Sequence, residues 1–175
     1  MESLKIVLAC IAAAIFYGIV HDQFTARICV EYFTVFHPPV FFTESPTLLG
    51  LGWGIIATWW VGALLGILLA VAARVGSRPK LSAATLLSPI VKLLLVMAAS
   101  SMLFGLTGFL LARAGMIAPP KWVASSLAPS ADARFMADWW AHSASYAVGF
   151  FGGIVICVAQ YRSRTIKQTR PESAI

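Results

Sequence analysis

The chain alternates between long apolar runs and shorter polar segments. Apolar residues dominate positions 4–20, 47–73, 89–112 and 143–161. At a helical rise of roughly 1.5 Å per residue, each run covers most or all of a hydrocarbon core about 30 Å thick. The pattern therefore predicts an all-α polytopic membrane protein, with four transmembrane helices in a single integral membrane domain over residues 1–175.

Local sequence signals indicate where these helices begin. A serine–proline pair precedes the second and third runs, at Ser45-Pro46 and Ser88-Pro89, and suits an N-cap followed by the first helical residue. Residues 81–88 are also apolar, so an earlier start of the third helix that continues through the proline stays open. Ser130 is a candidate cap for a fourth helix that starts outside the membrane, with Asp132 in its first turn.

Composition agrees with lipid as the surrounding solvent. Hydrophobic residues make up 59% of the chain and charged residues only 11%, whereas soluble domains carry about 25% charged residues. The net charge of +6 raises the question of nucleic acid. However, the basic residues form no stripe interleaved with exposed aromatic residues, and the polar segments are too short for a nucleic-acid module. We expect a lipid bilayer as partner and no nucleic acid.

The basic residues are concentrated on one predicted side of the membrane. The loop 74–80, the tail 162–175 and the N-terminus together hold eight of the 13 basic residues, whereas the outer segments 21–46 and 113–142 hold four. By the positive-inside rule, the loop and both termini are predicted to be cytoplasmic. This orientation requires an even number of spans, as the four runs provide.

Lys92 is the remaining basic residue and falls within the third apolar run. If that helix begins at Pro89, Lys92 lies in its first turn and reaches the cytoplasmic interface with its long side chain. A lysine buried inside the bundle would instead indicate a functional site. The sequence leaves both interpretations open.

Small residues recur at every fourth position in two of the helices, and this spacing keeps them on one helix face. Close backbone approach at such residues drives helix association in lipid. The ridges are Gly50, Gly54, Thr58, Gly62, Gly66 and Ala70 in the second helix, and Ala141, Ser145, Gly149, Gly153 and Cys157 in the fourth. We expect these two helices to pack together. The alternative is that one ridge faces outward, to form a homo-oligomer or dock a membrane protein partner.

The polar segment after the first run predicts a short amphipathic helix on the outer side, over about residues 21–36. Asp22 is a plausible N-cap. Arg27 and Glu31 are four residues apart and are expected to pair on one helix face. The residues His37-Pro38-Pro39 are predicted to end this helix.

All three histidines and five of the seven acidic residues fall on the predicted outer side. His21 ends the first helix and His142 begins the fourth, so the two should lie at similar depth. A metal site would draw on His21, Asp22, Glu31, Asp138 and His142, a ligand set that suits Zn, Mn or non-haem Fe. A second possibility is haem with His21 and His142 as axial ligands. Because no HExxH or His-x-His motif is present, the plainer alternative is a structural anchor at the water boundary.

The end of the first helix also carries a family resemblance. Residues 17–25 read YGIVHDQFT and residues 31–34 read EYFT. This resembles a group of small, uncharacterised bacterial membrane proteins with a YGIxxDQ…EYFT signature, over about residues 17–62. The resemblance implies a bacterial inner-membrane location and carries over no catalytic role. It adds Gln23 and Tyr32 to Asp22, Arg27 and Glu31 as residues to test.

Three hypotheses for function follow from these patterns. The first is a structural or interaction component that forms a homo-oligomer or docks a membrane partner through a small-residue ridge. The second is a membrane-embedded metal- or haem-binding enzyme with its site at the outer face. The third is a small-solute carrier or channel. Fold alone does not choose among them.

Overall fold

The computed structural model describes the backbone of residues 1–169 and the side chains as far as Arg164. Its α-helices are α1 (Glu2–Ile28), α2 (Pro46–Ile56), α3 (Trp59–Arg74), α4 (Ala83–Arg113), α5 (Lys121–Ala124) and α6 (Asp132–Thr169). One π-helical turn, Tyr32–Phe36, follows α1, and a 3-10 turn, Pro129–Ala131, precedes α6. The predicted all-α class is confirmed.

Four stretches are long and apolar enough to cross a membrane: Glu2–Ile28, Pro46–Arg74, Ala83–Arg113 and Pro129–Arg164. Large apolar side chains point away from the bundle, and Phe16, Leu95 and Phe151 are each about two-thirds exposed. A continuous apolar surface of this kind is unfavourable in water and is satisfied by lipid. The predicted four-helix membrane architecture is therefore confirmed.

The first helix is longer than the predicted residues 4–20. It continues to Ile28, so His21 and Asp22 lie within it and Asp22 does not cap a separate helix. The short helix expected after the first is the single π-helical turn Tyr32–Phe36, which ends at His37 as predicted. Polar residues extend α1 because the bundle provides hydrogen-bond partners for them at this depth.

The second predicted helix, residues 47–73, is divided into α2 and α3 by a turn at Ala57 and Thr58. The hydroxyl of Thr58 donates to the carbonyl oxygen of Gly54. Side-chain bonds of this local kind compete with the helical ladder and bend helices. Ser45 precedes Pro46 as expected, although its side chain makes no capping hydrogen bond.

The third helix begins earlier than residue 89. Ser82 caps α4 by accepting from the backbone nitrogen of Thr85 at 3.4 Å, and the helix continues through Pro89. Lys92 is therefore about 13 Å from the start of α4, and its predicted place in the first turn is corrected. Its side chain is exposed on the outside of the bundle, so the interpretation as a buried functional lysine is wrong.

The fourth helix also starts well before the predicted residue 143. Asp132 lies in the first turn of α6, as expected for a helix that begins outside the membrane. The predicted tail, residues 162–175, is helical as far as Thr169. The last residues of that tail, 170–175, lie outside the part that the structure describes.

The second and fourth predicted helices do pack together, through α3 and α6. However, the small-residue ridge of α2 and α3 faces α1 instead of the ridge of α6. A Cβ atom added to Gly54 would lie 2.5 Å from the backbone nitrogen of Ile19, and one added to Gly62 would lie 2.8 Å from the carbonyl oxygen of Cys10. Backbone contact at this distance requires glycine. The pattern identified the buried face correctly but not the helix that contacts it, because a ridge of small residues carries no information on which helix packs against it.

The ridge of α6 contacts side chains rather than backbone. A Cβ atom added to Gly149 would lie 3.0 Å from the Met97 methyl group of α4, and one added to Gly153 would lie 2.9 Å from Leu65 of α3. Both ridges are thus covered inside the bundle. A homo-oligomer or a docked partner would need a different surface.

Buried Arg164 connects three segments at the end of the bundle that holds the N-terminus. Its guanidinium group, which is 0% exposed, donates to four backbone carbonyl oxygens at 2.6–3.1 Å, those of Ala72, Val75, Arg78 and Pro79. These carbonyls belong to the end of α3 and the following loop, where helical partners run out. At the same end, Glu2 accepts from the backbone nitrogen of Ala83 at 3.1 Å. The N-terminus, this loop and the end of the described α6 therefore lie on one side.

Arg164→Gln should destabilise the bundle, because four carbonyl groups lose a charged donor in a buried position. We expect a loss of about 3 kcal/mol, measured as a lower melting temperature in mild detergent. Arg162→Gln is the matched control, since Arg162 is exposed on the same helix, and it should change stability by less than about 0.5 kcal/mol. Equal melting temperatures for the two variants would contradict this role of Arg164.

Candidate metal centre at one end of the bundle

Two histidines and a carboxylate converge near the end of the bundle opposite Glu2. Asp22 Oδ1 lies 3.1 Å from Nδ1 of His21 and 3.3 Å from Nε2 of His142. The two imidazole rings meet edge to face, with centroids 4.5 Å apart. One ligand atom from each of the three residues lies within 4.8 Å of the others. The sequence predicted that the two histidines lie at a similar depth in the membrane, and in the structure their rings are in direct contact.

Three helices position this cluster. The extension of α1 beyond residue 20 carries His21 and Asp22, and α6 carries His142. Helix α4 approaches α6 closely at Gly108, where an added Cβ atom would lie 2.7 Å from the carbonyl oxygen of Met136. This close approach brings α4 alongside the cluster, where it contributes a polar side chain that the sequence did not point to.

The hydrogen bonds of His142 determine which ring nitrogen carries its proton. Nδ1 lies 2.8 Å from the backbone carbonyl oxygen of Asp138, one turn earlier in α6. A carbonyl oxygen only accepts, so Nδ1 carries a proton and donates. In a neutral imidazole the lone pair is then on Nε2, which faces Asp22. Two acceptors that face each other require either an additional proton or a cation between them.

His21 has the same kind of support from α4. Its Nε2 lies 2.9 Å from the hydroxyl oxygen of Ser101, which is buried. Because a hydroxyl group both donates and accepts, this contact allows two tautomers. Either Nε2 donates to Ser101 and the lone pair on Nδ1 faces Asp22, or Ser101 donates to Nε2 and the Nδ1 proton faces Asp22. The first tautomer is the one that can bind a metal. Metal-binding histidines commonly hold their second ring nitrogen in this way. The position of Ser101, a polar residue in the middle of an apolar helix, was the sequence signal that could have indicated a hydrogen bond to another helix.

Aromatic rings cover the cluster from the outer side. The Tyr32 ring stacks on the His142 ring, with centroids 4.5 Å apart at 27°, and the Phe33 ring meets it at 5.8 Å. Both side chains are buried and come from the π-helical turn after α1. This cover separates the cluster from bulk water.

Asp138 is buried beside the cluster without joining it. Its side chain is 0% exposed, and within the described part of the chain neither carboxyl oxygen has a hydrogen-bond partner. It does not belong to the group of converging ligand atoms. A buried carboxyl group of this kind is unfavourable unless a proton, a cation or water satisfies it.

The other predicted site residues serve different contacts. Arg27 donates to the side chains of Gln23 and Thr47, both at 2.7 Å, and Gln23 donates to the Thr47 carbonyl at 3.0 Å. These bonds connect α1 to the first turn of α2. Glu31 instead pairs with Arg134 at 3.7 Å. The predicted Arg27–Glu31 pair is therefore wrong, and neither residue supplies a ligand atom to the cluster.

Haem does not fit between the two histidines. In a bis-histidine haem the porphyrin ring separates the axial imidazoles, whereas the rings of His21 and His142 are in contact with Asp22 bonded to both. The prediction of haem at this pair is corrected by this geometry.

A cavity with a volume of about 130 Å³ begins at the cluster and continues between α1, α3, α4 and α6. Close to the cluster, the Tyr17 hydroxyl and the Ser145 hydroxyl are 2.7 Å apart and line its wall. Beyond them the lining is apolar as far as Cys10 and Cys157. The candidate ligand atoms thus lie at one end of an apolar chamber.

The comparisons with known proteins do not assign the site. No protein-family model, curated protein or solved structure matches this chain. Its function must therefore be inferred from the arrangement of its own side chains.

His37, the third histidine, lies outside the cluster. Its Nδ1 donates to the carbonyl oxygen of Tyr32 at 2.8 Å, and its ring lies 4.7 Å from the Trp53 ring. Burial lowers the pKa of His37, although the Tyr32 carbonyl and the charge of Asp22 oppose this change. The neutral ring is therefore the form that stabilises the outer segment.

Acidification should loosen this outer segment. Because the pKa of folded His37 is below its ordinary value of 6.5, the detached segment binds a proton more readily than the folded one. Its stabilisation is complete above about pH 6.5 and is lost as the pH falls below that value. Amide hydrogen exchange in residues 32–42, corrected for the intrinsic pH dependence of the exchange rate, should be faster at about pH 5 than at about pH 7.5. His37→Gln should remove the difference, and an unchanged pH dependence would rule out His37 as its source.

Proposed function

We propose that the protein is an integral membrane metalloprotein whose metal ion is bound by His21, Asp22 and His142. One observation carries the proposal. One ring nitrogen of each histidine and a carboxylate oxygen converge on one point, while Ser101 and the Asp138 carbonyl bond the opposite ring nitrogens. A structural anchor would instead need an additional proton between His142 and Asp22, because neutral His142 already donates its proton to the Asp138 carbonyl.

The spacing of the ligand atoms supports a small divalent ion. Metal–ligand distances of about 2.0–2.2 Å in tetrahedral or octahedral geometry place neighbouring ligand atoms roughly 3.0–3.4 Å apart. The separations from Asp22 Oδ1 are 3.1 and 3.3 Å. The third separation, at most 4.8 Å, would have to shorten when an ion binds. Two histidines and one carboxylate suit zinc, manganese or non-haem iron.

Local charge also supports a cation. Asp22 is buried, and the carboxyl group of Asp138 is buried close to it without a partner in the described part of the chain. An ionised carboxylate at the depth of a lipid bilayer is costly unless positive charge compensates it, whereas a proton suffices to neutralise Asp138. A divalent ion at the cluster would supply that charge.

Three protein ligands indicate a reactive centre rather than a structural one. Structural zinc sites are closed by four protein ligands, whereas catalytic sites keep a position open. Here the open positions would face the cavity, which favours the membrane enzyme hypothesis. A carrier would have to move the ion past an apolar lining toward Cys10, about 18 Å along α1, and such a path is unfavourable for a charge.

The proposal involves part of the sequence signature. Of the signature residues, Asp22 is a proposed ligand, Tyr17 lines the cavity and Tyr32 covers the cluster. The signature leaves position 21 variable and does not extend to His142, so it specifies one of the three proposed ligands. We also propose the bacterial inner membrane as the location, with both termini cytoplasmic and the centre near the outer face.

Protein purified without chelators should contain about one metal ion per chain, measured by elemental mass spectrometry together with an absorption spectrum. His21→Ala, Asp22→Asn and His142→Ala should each reduce the metal content at least tenfold, since each removes a ligand. His37→Ala is the matched control, because His37 lies outside the cluster, and it should keep the metal.

A wild-type protein that holds no zinc, manganese or iron, even after incubation with each ion and washing, would rule out the proposed function. The cluster would then be a structural anchor in which an additional proton lies between Asp22 and His142.

The proposed orientation predicts that a green fluorescent protein fused after residue 175 fluoresces, because that protein matures in the cytoplasm. Alkaline phosphatase at the same position should be inactive. The opposite pattern would reverse the orientation and place the centre near the cytoplasmic face. Replacing Arg74, Arg78 and Lys80 by glutamine should weaken the preference for this orientation, since these residues supply positive charge to the loop that is proposed to be cytoplasmic.

A further inference from the structure

The cavity below the candidate metal centre separates into a polar end and an apolar end. Its polar groups, from Tyr17 and Ser145 to the cluster itself, lie at one end. The rest of the wall is built from residues such as Ala13, Leu65 and Leu94. A ligand that matches this distribution has one polar head and an unbranched apolar body.

The dimensions restrict that body to a single chain. From Asp22 to Cys10 the cavity follows α1 for about 18 Å. A volume of about 130 Å³ admits about ten water-sized molecules, which occupy roughly 300 Å³ as liquid, and this is the low end of small-molecule sites. A lipid with two acyl chains is too large, and a water-filled interior is disfavoured by the apolar wall. The shape therefore fits one hydrocarbon chain that extends along most of this length.

Charge selects the head group. A divalent ion with two neutral histidine ligands, ionised Asp22 and protonated Asp138 leaves one positive charge at the centre. The covering rings of Tyr32 and Phe33 keep bulk water from screening it, and attraction is stronger in such a site. A carboxylate head, which binds divalent ions through oxygen, complements this charge better than a neutral alcohol or an ester.

We infer that the cavity binds one fatty acid, with its chain between α1, α4 and α6 and its carboxylate at the open positions of the metal. This inference rests on the proposed function and names its substrate class. The apolar wall holds the chain, and the metal with Asp22 fixes the carboxylate end. The surrounding bilayer supplies such molecules directly to the helix bundle.

The test measures binding of radiolabelled dodecanoate to the protein in phosphatidylcholine nanodiscs, with empty nanodiscs subtracted. Wild-type protein should bind about one dodecanoate per chain, saturably. Ala13→Phe should weaken binding at least tenfold, because Ala13 lines the cavity and the larger ring fills it. Ala12→Phe is the matched control, since the adjacent Ala12 is exposed on the outside of the bundle, and it should bind as the wild type does.

A second comparison examines the head group and remains informative if Ala13→Phe fails to fold. Removal of the metal with a chelator should weaken dodecanoate binding at least tenfold and leave binding of methyl dodecanoate within about twofold. Dodecanol should bind at least tenfold more weakly than dodecanoate to the metal-loaded protein. Equal binding of dodecanol and dodecanoate would overturn the assignment of a carboxylate head.

The two proposals fail in different ways. Metal-loaded protein that binds no more dodecanoate than empty nanodiscs overturns the fatty-acid inference and leaves the metal centre intact. Equal dodecanoate binding by folded Ala12→Phe and Ala13→Phe overturns it as well, because the chain would lie outside the cavity. Protein that holds no metal overturns both, and the metal assay shows this before any ligand is added.

Discussion

The buried carboxylate of Asp22 is the constraint on which the outer half of this bundle depends. It lies at a depth where lipid surrounds the helices, and it contacts two imidazoles through one oxygen. Because His142 already donates its proton to a backbone carbonyl, its contact with Asp22 needs either an additional proton or a cation between the two groups. The surrounding helices and aromatic rings bury this position.

Several features of the fold follow from that requirement. Helix α1 extends to Ile28 because its polar residues find partners inside the bundle rather than in water. Glycine contacts let α4 lie close enough to α6 for Ser101 to reach His21. The π-helical turn then folds Tyr32 over His142. At the opposite end, Arg164 places a second buried charge entirely against backbone carbonyls, so each end of the bundle is organised by one charged residue.

The sequence alone predicted the features that depend on solvent and period. Apolar runs identified four spans, i+4 spacing identified the buried faces, and the depth of His21 and His142 identified the cluster. The sequence alone could not predict which helix surfaces contact each other, or the side-chain contacts that depend on this packing. The glycine ridge at Gly54 packs on α1 rather than on α6, Arg27 reaches Thr47 instead of Glu31, and Ser101 and Arg164 gain their roles only from neighbours distant in sequence.

The polar end of the cavity and its apolar remainder are best understood together. A metal ion alone would be served by a closed site of four ligands, and an apolar cavity alone would be filled by larger side chains, since voids in a core are destabilising. Yet small residues, Ala13 and Gly149 among them, line the space directly below three converging ligand atoms. A molecule that combines an oxygen donor with a hydrocarbon chain would complete the proposed ligand set and fill the apolar chamber together, which favours a fatty acid over a ligand that does only one of the two.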